Sequence, residues 1–298
     1  MIYQESRVGQ RENNEDRIAY CYSRDALLLL LADGMGGHEY GEIAAEIAIQ
    51  FITGAFQEDA RPALADPVSF LSRSLIRAHE AIQDYVEEKK LNEIPRTTIV
   101  ACVIQHGCAW WAHAGDSRLY LLRGERIVER TRDHSRIQLL MDQGMLTAEE
   151  AKNYPGKNKI YSCLGGDHTP QFEFSRCHFL HDRDILLLAS DGLWGPLDEN
   201  VILETLQKDT VTEAVPKLLK AAQAQAGGKS DNLSMIAVCW QDEKIFAGVE
   251  PLAQSLIELE SLLEDVSPGD TADVVQLSDE EIEQTLKEID AVLKTIDN

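Results

Sequence analysis

Four aspartates of this chain sit beside small residues at the margins of short apolar runs. Residues 27–32 lead into Asp33-Gly34-Met35-Gly36-Gly37, residues 185–190 into Asp191-Gly192, and His113-Ala114-Gly115 into Asp116-Ser117-Arg118. Ser230-Asp231-Asn232 stands just before the last apolar run, and Glu15-Asp16 follows Arg11 near the start. A single Asp-Gly is more often a hairpin turn than a ligand; the joint occurrence is what carries weight. Strands ending in carboxylates gather negative charge at one edge of the sheets, where the groups raise one another's pKa unless a cation neutralises them. Oxygen donors without Cys or His at ligand spacing select Mg²⁺ or Mn²⁺ over zinc. Two such ions about 3.5–4 Å apart activate a water and stabilise the oxygens of an in-line displacement at phosphorus. Arg11 offers a planar fork for phosphate oxygens. Taken alone, it reads better as the partner of Glu15 in a surface ion pair.

The elements that must hold these residues are legible in outline. Runs at 27–31, 98–105, 108–113, 119–122, 185–189 and 233–240 read as strands. Arg123-Gly124 reads as a hairpin turn. Helices are expected over 41–56 and 67–89, the second with Pro67 at its first position after Asp66. Thr147-x-x-Glu150 is a capping box opening a further short helix. Consecutive strands joined by turns favour antiparallel pairing with the helices packed outside, an α+β layered domain.

Composition narrows the function classes. The 298 residues include 28 Lys+Arg against 51 Asp+Glu, a formal net charge of −23. That balance argues against nucleic acid, whose binding rests on Lys and Arg. The longest apolar run, 26–32, is too short to span a bilayer, and the first residues lack a signal-peptide pattern. The six cysteines include no C-x-x-C pair, so a cytoplasmic protein with reduced thiols is expected. Cys177-x5-Arg183 lacks the glycines of a cysteine-phosphatase loop, and Gly228-Lys229-Ser230 lacks the upstream glycine of a P-loop.

The segment 242–298 holds 16 acidic and 3 basic residues, which divides the chain into a domain at 1–241 and an acidic, helical extension at 242–298. Leu252, Leu256, Leu259 and Leu263, then Ile282, Leu286, Ile289, Leu293 and Ile296, keep helical spacing. The extension reads equally as a cap on the main domain or as a docking segment for a partner.

Taken in order, Arg11-Glu-Asn-Asn-Glu15-Asp16, Ala32-Asp-Gly-Met-Gly-Gly-His38, Thr97-Thr98, Ala114-Gly-Asp-Ser-Arg118, Arg132-Asp-His-Ser135, Ala189-Ser-Asp-Gly-Leu193 and Ser230-Asp-Asn232 resemble the bacterial branch of the metal-dependent serine/threonine protein phosphatases of type 2C (PPM). The resemblance covers roughly residues 1–241. It implies a four-layer α-β-β-α sandwich with two central antiparallel β-sheets and a metal centre at one end. By motif, Asp33 would bridge two Mn²⁺ or Mg²⁺ ions and Gly34 would offer its carbonyl to one of them. Asp191 and Asp231 would complete the first site, Glu15 and Asp16 would hold the second, and Asp116 with Asp191 would serve a third, weaker one. Arg11 would bind the substrate phosphate, and the stretch from Arg132 to about Tyr161 would form a flap beside the site.

The activity so implied is hydrolysis of phosphoserine and phosphothreonine in proteins by direct attack of a metal-bridging hydroxide, opposing a serine/threonine kinase. One departure stands out. Animal-type members carry a histidine directly after Asp-Gly as a proposed general acid; here Met35 occupies that place, and a thioether cannot donate a proton. His38 is read as serving the helix start, and His113 and His134 as structural or flap residues rather than ligands. The alternatives are a catalytically weak scaffold of the same fold that acts through partner binding, and a two-metal phosphoesterase acting on non-protein phosphate esters.

Overall fold

The computed structural model describes residues 1–35, 40–151, 154 and 159–241. The extension 242–298 and His38 lie outside the described residues. In chain order the elements are β1 (Ile2–Arg7), β2 (Asp16–Tyr22), β3 (Ala26–Met35), α1 (Gly41–Asp59), α2 (Pro67–Lys89), β4 (Arg96–Thr97), β5 (Ile99–Gln105), β6 (Cys108–Ala114), β7 (Arg118–Arg123) and β8 (Arg126–Arg130). There follow α3 (Arg136–Asp142), α4 (Ala148–Ala151), β9 (Leu164–Gly165), β10 (Glu173–Phe174), β11 (His178–Phe179), β12 (Ile185–Ala189), α5 (Asp191–Trp194), α6 (Glu199–Lys208), α7 (Val211–Ala226) and β13 (Leu233–Cys239).

Two antiparallel sheets form the centre. One runs β1-β13-β12-β7-β8; the other runs β10-β6-β5-β3-β4-β9, with β11 on β6 and β2 on β3. Side chains alternate across a strand, and here both faces are buried. Leu28, Leu30 and Ala32 of β3 pack with Ala48, Ile52 and Phe56 of α1 and Phe70, Leu71 and Leu75 of α2. Leu187 and Ala189 of β12 pack with Ile202 of α6 and Val215, Leu218 and Leu219 of α7. Between the sheets, Leu29, Leu31, Val100 and Cys102 meet Leu119, Leu121, Leu186, Leu188, Ile236 and Val238. The layers are therefore α-β-β-α, as the resemblance implied.

Local chemistry explains where elements begin. Asp66 caps α2, accepting hydrogen bonds from the N–H groups of Val68 and Ser69, with Pro67 in the first turn; Lys90 closes the helix in the left-handed conformation at φ 51°. Thr147 and Glu150 exchange capping-box bonds ahead of α4. Gly124, at φ 53°, makes the turn between β7 and β8. The strand expected at 27–31 is longer. It runs through Met35 because Asp33 pairs with Asp16 of β2, and Gly34 and Met35 pair with Thr97 and Arg96 of β4. Asp33-Gly34 thus lies in a strand rather than in a turn.

Candidate metal centre

The strand periodicity that builds the core also aims the acids. Leu29 and Leu31 of β3, Ile18 of β2, Leu186 and Leu188 of β12, and Ile236 of β13 line the layer between the sheets. Continuing those rows by steps of two residues brings Asp33, Asp16, Ser190 and Ser234 to the same end of the sandwich. The polar contacts agree. Ser190 Oγ donates to Asp16 Oδ2 at 2.8 Å and accepts from the Ser234 N–H at 2.9 Å. The Asp33 N–H donates to Thr98 Oγ1 at 3.0 Å, and the Thr98 N–H donates to the Asp33 carbonyl at 2.8 Å.

The remaining acids arrive from loops and a helix start. Asp191 opens α5, Asp116 lies between β6 and β7, and Asp231 precedes β13. Glu15 is fixed through its backbone: its N–H donates to Asn232 Oδ1 at 2.9 Å, and its carbonyl accepts from the Gly34 N–H at 3.2 Å. Asn232 is tied in turn to the carbonyls of Val8 and Asn13, both at 2.9 Å. A Cβ on Gly41 would collide with Glu15 Oε2, and one on Gly34 with the backbone of Gly41 and Glu15. Glycine at these two places is what lets the start of α1, the β3 backbone and Glu15 meet.

The electrostatics show how tightly the carboxylates crowd. Burial pushes Asp33 well above the usual carboxylate range, and Asp16, Asp191, Asp116 and Asp231 push it further. Burial does the same to Asp191, with Asp116, Asp231 and Asp16 adding to it. Asp16 is pushed up to about 6, chiefly by burial, and Asp116 to about 7 by burial and then by Asp133. Glu15, less buried, is raised by desolvation. Asp16 Oδ1 is buried with no hydrogen-bond partner among the described residues. Buried like charges of this kind call for a cation, and a carboxylate-only donor set with an orphaned oxygen fits a hard divalent ion.

Arg11 reaches the cluster from the surface. Its guanidinium donates to Asp231 Oδ2 at 2.7 Å, which raises its pKa. The pairing with Glu15 suggested by sequence distance is thus replaced by one with an acid far along the chain, because the turn around Gly9 packs on the Asp231 backbone and carries Arg11 there.

The profile described as protein phosphatase 2C matches residues 3–226. The chain belongs to the protein phosphatase 2C family. It is 35% identical over 226 residues to the serine/threonine protein phosphatase PstP of Mycobacterium tuberculosis, a match covering 76% of this chain and 42% of that protein. It is 32% identical over 242 residues to protein phosphatase PhpP of Streptococcus pneumoniae, covering 79% of this chain and 96% of the relative. The crystal structure of the PstP catalytic domain in complex with two manganese ions superposes with a TM-score of 0.68 at 31% identity, covering 81% of this chain and 98% of that one. The chain thus spans less than half of PstP and nearly all of PhpP.

Within this protein phosphatase 2C domain, sequence reasoning missed a set of supporting residues. Arg118 grips both oxygens of Asp133 at 2.8 Å, lies 3.6 Å from the centre of the Trp194 ring, and reaches Glu199 at 3.3 Å. It therefore ties the Asp116 loop to the 132–135 segment and to the helix that Asp191 opens. The only sequence signal was the Arg at the end of Ala114-Gly-Asp-Ser-Arg118, and nothing local named its partners. His113 and His134 lie beside this network with ring centres 4.5 Å apart and their planes tilted by 34°. Burial holds both below the usual histidine range, His134 at about 4.

Proposed function

We propose that this chain is a divalent-metal-dependent phosphatase that removes phosphate from phosphoserine and phosphothreonine in proteins. The observation that carries this reading is the convergence of Asp16, Asp33, Asp116, Asp191 and Asp231, from five separate parts of the chain, into one cluster in which burial and neighbouring acids raise the pKa of Asp16, Asp33 and Asp191. Family membership and the manganese-bound PstP domain support it.

Asp33, Asp191 and Asp231 would hold one Mn²⁺ or Mg²⁺, and Asp33, Glu15, Asp16 and the Gly34 carbonyl a second; Asp116 with Asp191 would serve a third. Bound there, such ions supply Lewis acidity toward phosphoryl oxygens and lower the pKa of water. The chain's own contributions are positional. Arg11, with 61% of its side chain exposed, would turn its guanidinium fork to the substrate phosphate, leaving Asp231 to the ions. Ser190, itself held by the Ser234 N–H, fixes the Asp16 carboxylate, and Thr98 and Asn232 fix the backbone of Asp33 and Glu15. Position 35, a methionine, supplies no proton to the leaving group.

The extension at 242–298 would be a docking segment for a partner, outside a catalytic domain at 1–241; its acidic composition and the family match ending at 226 support that division. We place the enzyme in the cytoplasm opposite a serine/threonine kinase. No helix among the described residues is long and apolar enough to cross a membrane.

The test is hydrolysis of p-nitrophenyl phosphate, phosphopeptides and nucleotides by the full chain and by Asp191→Asn. Phosphopeptide turnover that needs Mn²⁺ and is lost in the variant is the expected result. Activity surviving chelation or the substitution refutes it. Nucleotide turnover alone favours the phosphoesterase reading, and no turnover at all favours the scaffold.

A further inference from the structure

A second cluster of donors lies beside the acidic one and differs from it in kind. We infer that His113, His134 and Glu173 form a separate metal site suited to a borderline ion such as zinc. One ligand atom from each lies within 4.8 Å of the other two. They come from three elements: His113 from β6, His134 from the segment after β8, and Glu173 from β10, where it stands directly opposite His113 in the ladder.

The arrangement around His113 points to a ligand. Its ring is buried at 2% exposure, and Nε2 lies 2.7 Å from the Arg132 carbonyl. That bond places the proton on Nε2 and leaves Nδ1 as a bare lone pair. Nδ1 is buried with no partner among the described residues. Buried polar atoms of native folds are nearly always paired, and a metal-bound imidazole usually donates its other N–H to a carbonyl or carboxylate. His113 has the second half of that pattern and lacks the first.

His134 completes the pair. Its Nε2 lies 3.5 Å from Glu173 Oε2, and its ring stacks with that of Tyr161, 5.3 Å between centres. Nδ1 receives a long 3.5 Å contact from the Gly115 N–H, so without an ion Nε2 carries the proton. Binding moves that proton to Nδ1 through solvent and opens the Gly115 contact; the imidazole stays neutral and no net proton is released. Two imidazoles and one carboxylate are a three-ligand zinc set with a position left open, whereas the neighbouring carboxylates are an oxygen set. Glu173, with 54% of its side chain exposed, and His113 both line a cleft of about 300 Å³, which gives an ion and its fourth ligand a way in.

The consequence is mechanical. The Tyr161 N–H donates to the His134 carbonyl at 2.9 Å, and Ser135 bridges to Ile160. An ion on His134 therefore fastens both ends of the segment 132–161 to the β6 sheet.

The test uses the full chain carrying Asp33→Asn and Asp191→Asn to disable the acidic cluster, titrated with Co²⁺ as an optical stand-in and then with Zn²⁺. The expected result is an intense visible band saturating at one equivalent of cobalt, bleached by one equivalent of zinc. Adding Glu173→Gln should weaken zinc by at least about tenfold; this exposed side chain is replaceable without loss of folding, which circular dichroism verifies. Absence of the band under excess cobalt, or a zinc affinity indifferent to Glu173→Gln, overturns the site.

Discussion

Asp16 and Asp33 stand directly opposite each other across the β2–β3 ladder, two carboxylates at one paired position. Like charges so placed destabilise a sheet, and burial magnifies the cost, as the raised pKa of both shows. A cation between the strands would offset that cost. Asp33→Asn should therefore raise the melting temperature of the chelator-treated protein, by roughly 2–4 °C for each kcal/mol of relieved repulsion. The same substitution should lower Mn²⁺-dependent phosphatase activity by at least about a hundredfold. Scanning fluorimetry in EDTA checks the first half and p-nitrophenyl phosphate turnover the second. A variant less stable than the wild type in EDTA would contradict the repulsion account.

Arg11 is held by an acid that the proposed ions also need, since its guanidinium lies 2.7 Å from Asp231. A fork-shaped cation loses its two-point grip when replaced by a point charge. Arg11→Ala should cost about 1.5–3 kcal/mol in kcat/KM toward phosphopeptide, a factor of roughly 10 to 150. Arg11→Lys should recover part of that loss. Steady-state kinetics at saturating Mn²⁺ measure both, and an Ala variant as active as the wild type removes Arg11 from phosphate binding.

What the sequence disclosed, and what it hid, divides along the range of the interactions. The 67–89 helix and the 185–189 strand match observed elements residue for residue, because Asp66-Pro67 and a fully buried apolar run are local signals. The acids were legible because carboxylates beside glycine at strand ends are rare in combination. The two-residue strands β4, β9, β10 and β11 carry no periodicity: β4, β10 and β11 form on the free backbone groups of a longer neighbour, and β9 pairs with β4. β1 and β2, with partly exposed polar residues on both faces, show no clean alternation. Partners such as Ser190 for Asp16 or Asp231 for Arg11 lie 174 and 220 residues away, and no local rule selects them.

Arg118 illustrates the cost of such a long-range partnership. Its side chain and that of Asp133 are only 12% and 9% exposed, so removing the cation strands a carboxylate in the interior. Arg118→Ala should destabilise the fold by about 3–5 kcal/mol, while Arg118→Lys, keeping the charge without the fork, should cost less. In an Asp133→Asn background the loss caused by Arg118→Ala should shrink, because the stranded charge is gone. Urea unfolding of the four proteins of this cycle gives the coupling. Additive losses would mean that the pair contributes through packing on Trp194 rather than through charge.

His178 provides a pH dependence away from the acidic cluster. Its ring stacks on Trp111 with centres 4.3 Å apart, and burial, then Arg176 and Arg123, lowers its pKa to about 4. The unfolded chain binds a proton at this histidine below about 6.5, whereas the folded chain stays neutral until about pH 4. The unfolded state thus holds more protons across that window, so stability falls as pH is lowered from 6.5 toward 4 and is fully present above 6.5. His178→Phe, which keeps the stack on Trp111 and cannot titrate, should lose less melting temperature between pH 7.5 and pH 5 than the wild type. His113 and His134 contribute the same sign in both proteins, and the comparison cancels them. Equal slopes for the two proteins would show that His178 titrates alike in the folded and unfolded states.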